Sequence, residues 1–370
     1  MSRNIFSEIL HEKVDSSSSL PSVTPIFQVS AFDAGSENFY ARKSTPNGSE
    51  LESIFSKIEE SRFAMTVSTG MTAIFMCLNL LRPDCSVLMC SKIYGCTYKL
   101  FQRYCNQHHI TLDTMDLSDL TTHHLAAEKK YDMCFFETPT NPFLDTICIA
   151  SISKECKKKN ENCIIVVDNT WATPLYQKPL QHGADISLYS GTKYFGGHSD
   201  VMCGVLTTEN EAIYQRLFDL RFYGGLNLAP YPAWLVRRSM QTFKLRVEYQ
   251  SDTTKKLSEK VAHLSFVKKL YYPDIDGQQL IGYGGIIFIE VDDDTIFRYD
   301  QIIKKLKFFG TGTGMACVTS MIAQPYTGSH ASLTESEKIS MGITKNLLRL
   351  CFGLEDHDDL FDDLVQAFTV

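Results

Sequence analysis

Between Leu51 and Leu206 the chain alternates short apolar runs with longer amphipathic stretches. Phe63–Val67, Ser86–Cys90, Met133–Phe136, Ile164–Val167 and Ile186–Tyr189 are nearly all apolar. Runs that do not alternate with polar residues predict strands buried on both faces. Helices between them predict a mostly parallel sheet in an α/β layer. A helical pattern dense in Lys, Arg and Glu then runs from about Pro232 to Leu264. Strand-like Gly285–Glu290, a helix near Thr295–Phe308, strand-like Leu347–Phe352 and a last helix from about Asp358 predict a second, smaller α+β domain. Residues 1–45 carry Ser16–Ser19 and little periodicity. They read as an extended arm, the alternative for the first twenty positions being a disordered tail. The expected organisation is an arm over 1–45, an α/β domain over 46–230 and an α+β domain over 231–370. Asp292–Asp294 reads as a solvated turn.

Composition narrows the function without naming it. A chain of 370 residues, 44% hydrophobic and 21% charged, is an ordinary soluble globular protein of two or three domains. The net charge of −7 argues against a nucleic-acid partner. No apolar run approaches the ~20 residues that span a membrane, and the opening Met1–Glu8 lacks the apolar core of a secretory signal. Twelve cysteines without a C-x-x-C pair read as small buried hydrophobes in a reduced, cytoplasmic protein. The ten histidines include His108-His109 and His123-His124, but no H-E-x-x-H and no Cys/His ligand grid, so no metal is expected.

Chemistry gathers at the predicted strand ends, where open α/β sheets bind ligands. The stretch Ser187-Leu-Tyr-Ser190-Gly-Thr192-Lys193-Tyr-Phe-Gly-Gly-His198-Ser-Asp200 places a lysine among small hydroxyl residues and ahead of Gly-Gly. Upstream, Ile164–Val167 ends on Asp168. An amine and a carboxylate on successive strand ends suit pyridoxal phosphate, the lysine binding it covalently and the aspartate holding its ring nitrogen protonated. Ser68-Thr-Gly70-Met71-Thr72 opens a helix and offers backbone N–H groups to a phosphate. It also suits a plain N-cap. Tyr94 follows a third strand and can stack on a ring or simply pack in the core. Asn141, in Glu137-Thr-Pro-Thr-Asn141-Pro142, can bond a ring oxygen or belong to a proline turn.

These segments resemble the pyridoxal-phosphate enzymes of cysteine and methionine metabolism: cystathionine synthases and lyases, methionine γ-lyases and homoserine sulfhydrylases. The family's Ser-x-Thr-Lys-Tyr-x-x-Gly-His-x-Asp is filled without a gap by Ser190, Thr192, Lys193, Tyr194, Gly197, His198 and Asp200. The likeness extends from about Pro25 to the C-terminus. It implies the fold-type-I architecture, with the cofactor domain over 46–230 and a substrate-clamping domain after it. It also implies backbone contacts to phosphate from Gly70 and Met71, hydroxyls from Ser190 and Thr192, and a ring stacked on Tyr94. Asn141 would contact the ring hydroxyl, Asp168 the ring nitrogen, and Lys193 would carry the cofactor. Tyr40-Ala-Arg42 resembles the segment that reaches a neighbouring subunit's phosphate, which implies a homodimer or homotetramer with shared sites. Leu348-Arg349-Leu-Cys-Phe-Gly353-Leu-Glu-Asp356 matches the segment whose arginine pairs with the substrate α-carboxylate. The implied reaction is elimination or replacement at the γ- or β-carbon of a sulfur amino acid or an activated homoserine, with Lys193, Tyr94 and Asp168 as its catalytic groups.

Four departures bear on specificity. Thr45-Pro46-Asn47 stands where the family has Asn-Pro-Thr. Gly314-Met315-Ala316-Cys317 replaces Ser-Leu-Gly-Gly, which removes a serine from the substrate-facing wall unless Thr311 or Thr313 substitutes. Cys96 is typical of methionine γ-lyases, yet the Lys-Asp pair of those enzymes matches Arg221-Phe222 only loosely. Two other readings stay open: a different fold-type-I reaction such as transamination, and a silent relative kept as a binding protein.

Overall fold

The computed structural model describes residues 5–12, 21–119 and 129–369. Ser16–Ser19 and His123-His124 lie outside the described residues. The first sheet holds seven strands: β1 (Phe63–Val67), β2 (Ser86–Cys90), β3 (Thr111–Met115), β4 (Met133–Glu137), β5 (Ile164–Asp168), β6 (Ile186–Ser190) and β7 (Gly204–Thr208). Their order is β1-β7-β6-β5-β4-β2-β3. Only β7 runs against the rest, pairing antiparallel with β6 and β1. Six carboxyl ends therefore meet at one edge.

Both faces of this sheet are covered, which explains the unbroken apolar runs. Val87 and Met89 join a cluster with Phe101, whereas Leu88 and Cys90 face the opposite way beside Ile152. Helices α1 (Ile5–His11), α2 (Pro46–Glu59), α3 (Gly70–Leu78), α4 (Gly95–Gln107) and α5 (Ile149–Lys159) supply much of that cover. Within the expected arm, α1 is a helix rather than a disordered tail. It buries Ile9 in the same cluster as Leu51 and Phe55 of α2, and Lys57 pairs with Glu12 just beyond its end. The altered Thr45-Pro46-Asn47 starts α2. The Thr45 hydroxyl accepts from Gly48 N at 3.1 Å, and Pro46 fills the first turn, where no N–H is needed. Asn47 ties the arm down by accepting from Phe27 N (2.9 Å) and donating to Pro25 O (2.8 Å).

The second sheet has the order β10-β11-β12-β9-β8, from β8 (Val267–Tyr271), β9 (Ile286–Val291), β10 (Gly310–Thr311), β11 (Met321–Ala323) and β12 (Leu347–Cys351). The expected long helix is two, α6 (Pro230–Met240) and α7 (Phe243–Val261). The break is held by Arg246, which donates to Ser239 O at 3.0 Å and to the Thr242 hydroxyl at 3.2 Å. Asp292 is an N-cap rather than a free turn residue; it accepts from Thr295 N at 2.7 Å.

α2 ends on Glu59, which is fully buried and accepts from the Tyr189 hydroxyl. Burial pushes its carboxyl up to about 8, against hydrogen bonds from Tyr189 and Ser187 that favour the anion. A carboxyl raised on folding contributes stability below its unfolded pKa and loses it as pH climbs toward the folded value. Glu59→Gln removes that loss. Its melting temperature should exceed the parent's at pH 8.5 and match it near pH 4; melting curves that run parallel across this range would show Glu59 to be uninvolved.

Candidate active site

Nine of the residues singled out from the sequence line one cavity of about 280 Å³ at the carboxyl edge of the first sheet: Gly70, Met71, Tyr94, Asn141, Asp168, Ser190, Thr192, Lys193 and Arg349. Tyr40 and Arg42 are not among them. Arg42 instead donates to Phe222 O at 2.6 Å and lies 4.7 Å from the Phe222 ring centroid. Arg221 is committed elsewhere, in a buried pair with Glu52.

One wall is the start of α3. The Thr69 hydroxyl accepts from Thr72 N at 3.0 Å, which leaves the N–H groups of Gly70 and Met71 as first-turn donors without an intrahelical acceptor. A Cβ on Gly70 would lie 2.9 Å from Ser190 Cβ, so only glycine lets this turn meet the end of β6. Gly204 does the same from β7, where a Cβ would come within 2.1 Å of Thr69 O. Ser190 offers its hydroxyl here. The Thr192 hydroxyl is more occupied, accepting from Cys203 N (3.0 Å) and donating to Cys203 O (3.3 Å).

Lys193 follows β6 in a loop fixed from several sides. Arg246 donates to Tyr194 O at 2.9 Å, His198 Nδ1 lies 2.8 Å from Gly196 O, and Val318 N bonds Gly197 O at 2.9 Å. Gly197 has φ +66°, and a Cβ there would strike Arg246 Nη1 at 2.1 Å, so this glycine is required twice over. The amine makes no ion pair among the described residues. Burial, and then the charge of Arg349, hold it below the ordinary lysine value. A larger share of it is thus neutral and nucleophilic.

Asp168 ends β5. Thr170 donates to its Oδ1 twice, from N at 3.0 Å and from the hydroxyl at 2.5 Å, which leaves Oδ2 for the cavity. Burial nevertheless pushes this carboxyl up to about 6. Tyr94 heads α4, and its N–H donates to Glu137 Oε1 at 3.0 Å. Burial and contact with Cys96 raise its phenol well above the usual value, so the hydroxyl keeps its proton at neutral pH. His330 packs the other domain onto this turn, with Nε2 3.1 Å from Ile93 O. Burial pushes its imidazole down to about 4, so it is neutral there.

Arg349 projects from the middle of β12. Its Nη2 donates to Thr313 O (3.1 Å) and Gly314 O (2.8 Å), its Nη1 lies 3.6 Å from Met315 Sδ, and its Nε has no partner among the described residues. The altered Gly314 segment therefore holds the arginine by backbone carbonyls, a task no side chain at 314 is needed for. Thr313 joins the cavity wall; Thr311 does not.

A pyridoxal phosphate fits these groups. Two first-turn N–H groups and a serine hydroxyl suit its phosphate, Tyr94 suits its ring face, and the Asp168 carboxylate suits its nitrogen. Asn141 Oδ1, buried and without a partner among the described residues, suits its ring hydroxyl. Sequence reasoning missed Glu137, Thr170 and Trp171 in the wall and Arg246 behind it. Only Glu137 carried a signal, as the polar end of an apolar run.

The family model for Cys/Met metabolism PLP-dependent enzymes matches residues 9–369. The chain belongs to this family. A cystathionine β-lyase of Lactococcus lactis subsp. cremoris (strain MG1363) is 30% identical over 378 residues, covering 98% of each chain. A cystathionine γ-lyase of Bacillus subtilis (strain 168) is 32% identical over 359 residues, covering 93% of each. The crystal structure of a cystathionine γ-synthase from Xanthomonas oryzae pv. oryzae in complex with cystathionine superposes with TM-score 0.93 at 27% identity, covering 100% of this chain and 98% of that one. The chain is thus a pyridoxal-phosphate-dependent enzyme of the carbon–sulfur lyase or γ-synthase kind, with the fold-type-I architecture expected from its sequence. Nothing favours an aminotransferase or a silent relative. Among the described residues no helix is long and apolar enough to cross a membrane.

Proposed function

We propose that the enzyme cleaves or exchanges the γ- or β-substituent of a sulfur amino acid or activated homoserine, and that cystathionine or a similar thioether is the substrate to offer first. The convergence of Lys193, Asp168, Tyr94 and Arg349 on one cavity carries this reading, and all three relatives above are cystathionine enzymes. Bound pyridoxal phosphate supplies an electrophilic aldehyde carbon and a ring that takes up electrons. Lys193, buried and with its amine held below the ordinary lysine value, would carry that group covalently and would move the proton at the substrate α-carbon. Asp168 keeps a negative charge at the ring nitrogen. Arg349, pinned through Nη2, presents Nε and Nη1 to the substrate α-carboxylate. Tyr94 stacks and, through its protonated hydroxyl, assists the departing group. Gly70, Met71 and Ser190 would seat the phosphate, with Thr192 lining the same wall, and Asn141 would meet the ring hydroxyl. The cofactor unit is assigned to 46–230 and the substrate unit to 231–370.

The test is incubation with cystathionine, methionine, cysteine and O-acylated homoserines, with and without thiol, followed by keto-acid and product analysis. Keto acid without thiol indicates elimination; a new thioether only with thiol indicates replacement. No turnover of any of them sinks the substrate reading.

The working unit in this reading is a homodimer or homotetramer in which Tyr40 and Arg42 complete a neighbour's phosphate seat. Both lie outside the cavity of their own chain, and the arm around them exposes apolar side chains, Phe39 to 70%. Arg42→Ala should weaken cofactor retention, and mixing it with Lys193→Ala should restore activity, because one mixed site carries both intact residues. Verified mixed dimers without activity would place Arg42 outside the shared site. All twelve cysteines are free thiols, which supports a reducing, cytoplasmic setting.

A further inference from the structure

Glu137 ends β4 inside the cavity wall, 2% exposed, in register with Asp168 on the parallel neighbour β5. Parallel partners in register point to the same face, on strands ~4.8 Å apart. Two carboxyls thus sit side by side, both buried. Such a pair cannot carry two negative charges cheaply, and one member keeps a proton.

The hydrogen bonds decide which. Asp168 Oδ1 receives two donors from Thr170, which favour its anion. Glu137 Oε1 receives the Tyr94 N–H, but Oε2 is buried with no partner among the described residues. An anionic oxygen stranded that way is costly, whereas a protonated one becomes a donor. The groups acting on Glu137 are Asp168 from β5, Tyr94 from the head of α4 and the Trp171 side chain, with the Cys90 thiol at the end of β2 also in range. None is a cation. Burial and the Asp168 charge hold the Glu137 carboxyl well above its ordinary value, against the opposing influence of the Tyr94 N–H and the nearby Trp171 side chain.

We propose that Glu137 is a positioning residue that works as a neutral carboxylic acid, seating Tyr94 through its backbone N–H and leaving Asp168 as the sole anion facing the cofactor. This rests on the reading of Asp168 and Tyr94 as cofactor contacts. Tyr94 is the first residue of the turn into α4 and makes no side-chain cap of its own. The turn that carries its ring is therefore held by the bond to Glu137 and by the His330 contact behind Ile93. A second charge beside Asp168 would change the proton affinity of the ring nitrogen, and a neutral acid does not.

Glu137→Gln keeps the acceptor and the neutrality; Glu137→Leu keeps neither acceptor nor polarity. Three readouts are taken on each: affinity of the apoenzyme for pyridoxal phosphate, the pH titration of the bound cofactor's absorbance, and kcat and KM. Glu137→Gln should match the parent in all three. Glu137→Leu should lose about tenfold in kcat from a displaced Tyr94, with the absorbance titration unmoved. A shifted titration or a tenfold loss of kcat in Glu137→Gln would mean that the working residue is charged and overturns the proposal. Parental kcat in Glu137→Leu would remove the seating role. Where Glu137→Leu does not fold, the Glu137→Gln titration decides alone. Affinity and titration are read without substrate, so a wrong substrate assignment leaves the outcome for Glu137 unaffected.

Discussion

Lys193→Ala should abolish turnover and the covalent attachment of the cofactor together. The parent protein should be yellow as purified, and borohydride reduction should leave the cofactor on the peptide that contains residue 193. The variant should lose that attachment while keeping the Gly70, Met71 and Ser190 seat, so added pyridoxal phosphate should still bind and dialyse away. The size of the kinetic loss follows from the two roles of one amine. As the group that moves the α-proton, Lys193 is worth roughly 10²–10⁴ in rate, and its covalent role adds to that. Tyr94 is ill suited to take over, because its phenol is raised rather than lowered and so makes a poor base. A variant within tenfold of the parent, or a parent that stays colourless on adding the cofactor, would refute the assignment of Lys193.

What the sequence made legible followed from locality. The five apolar runs became strands because each is buried on both faces and needs no partner to be recognised. β3 and β8 were missed because they are partly exposed: Thr-Leu-Asp-Thr-Met and Val-Lys-Lys-Leu-Tyr have no apolar continuity. β7 is buried throughout but opens on Gly204, whose value lies in its approach to Thr69 from another strand. The break between α6 and α7 was hidden because the charged periodicity runs straight across it, while its cause, Arg246 reaching Ser239 O, is a tertiary contact. The same division holds in the site. Lys193, Asp168, Asn141 and Tyr94 sit on strand ends within recognisable segments. The grip of Thr313 and Gly314 on Arg349 uses carbonyls, which every residue has, so the altered segment looked more damaging in sequence than its geometry makes it. Glu137 acts through its cross-strand neighbour, and strand pairing is not written in either strand alone.

Tyr94→Phe should separate stacking from proton transfer. The phenylalanine keeps the ring, and stacking needs only the ring. It also keeps the backbone N–H that Glu137 accepts at 3.0 Å, so the turn into α4 should hold its place. Cofactor affinity should therefore change by no more than about threefold, as expected for a ring retained in its seat. The hydroxyl is another matter. Burial and contact with Cys96 keep it protonated well beyond neutral pH, which suits it to give a proton to a departing sulfur rather than to take one from carbon. Losing it should lower kcat by roughly 10²–10⁴ at a pH where the parent is fully active. The loss should be greatest for poor leaving groups such as thiolates and smallest for acylated homoserines, whose carboxylate leaves with little help. Equal losses across the two classes would place Tyr94 before departure of the substituent, in the step shared by both. Full turnover of the thioether in Tyr94→Phe would hand the leaving-group proton to Lys193 alone, and loss of cofactor binding without a separate kinetic defect would leave Tyr94 a purely structural support.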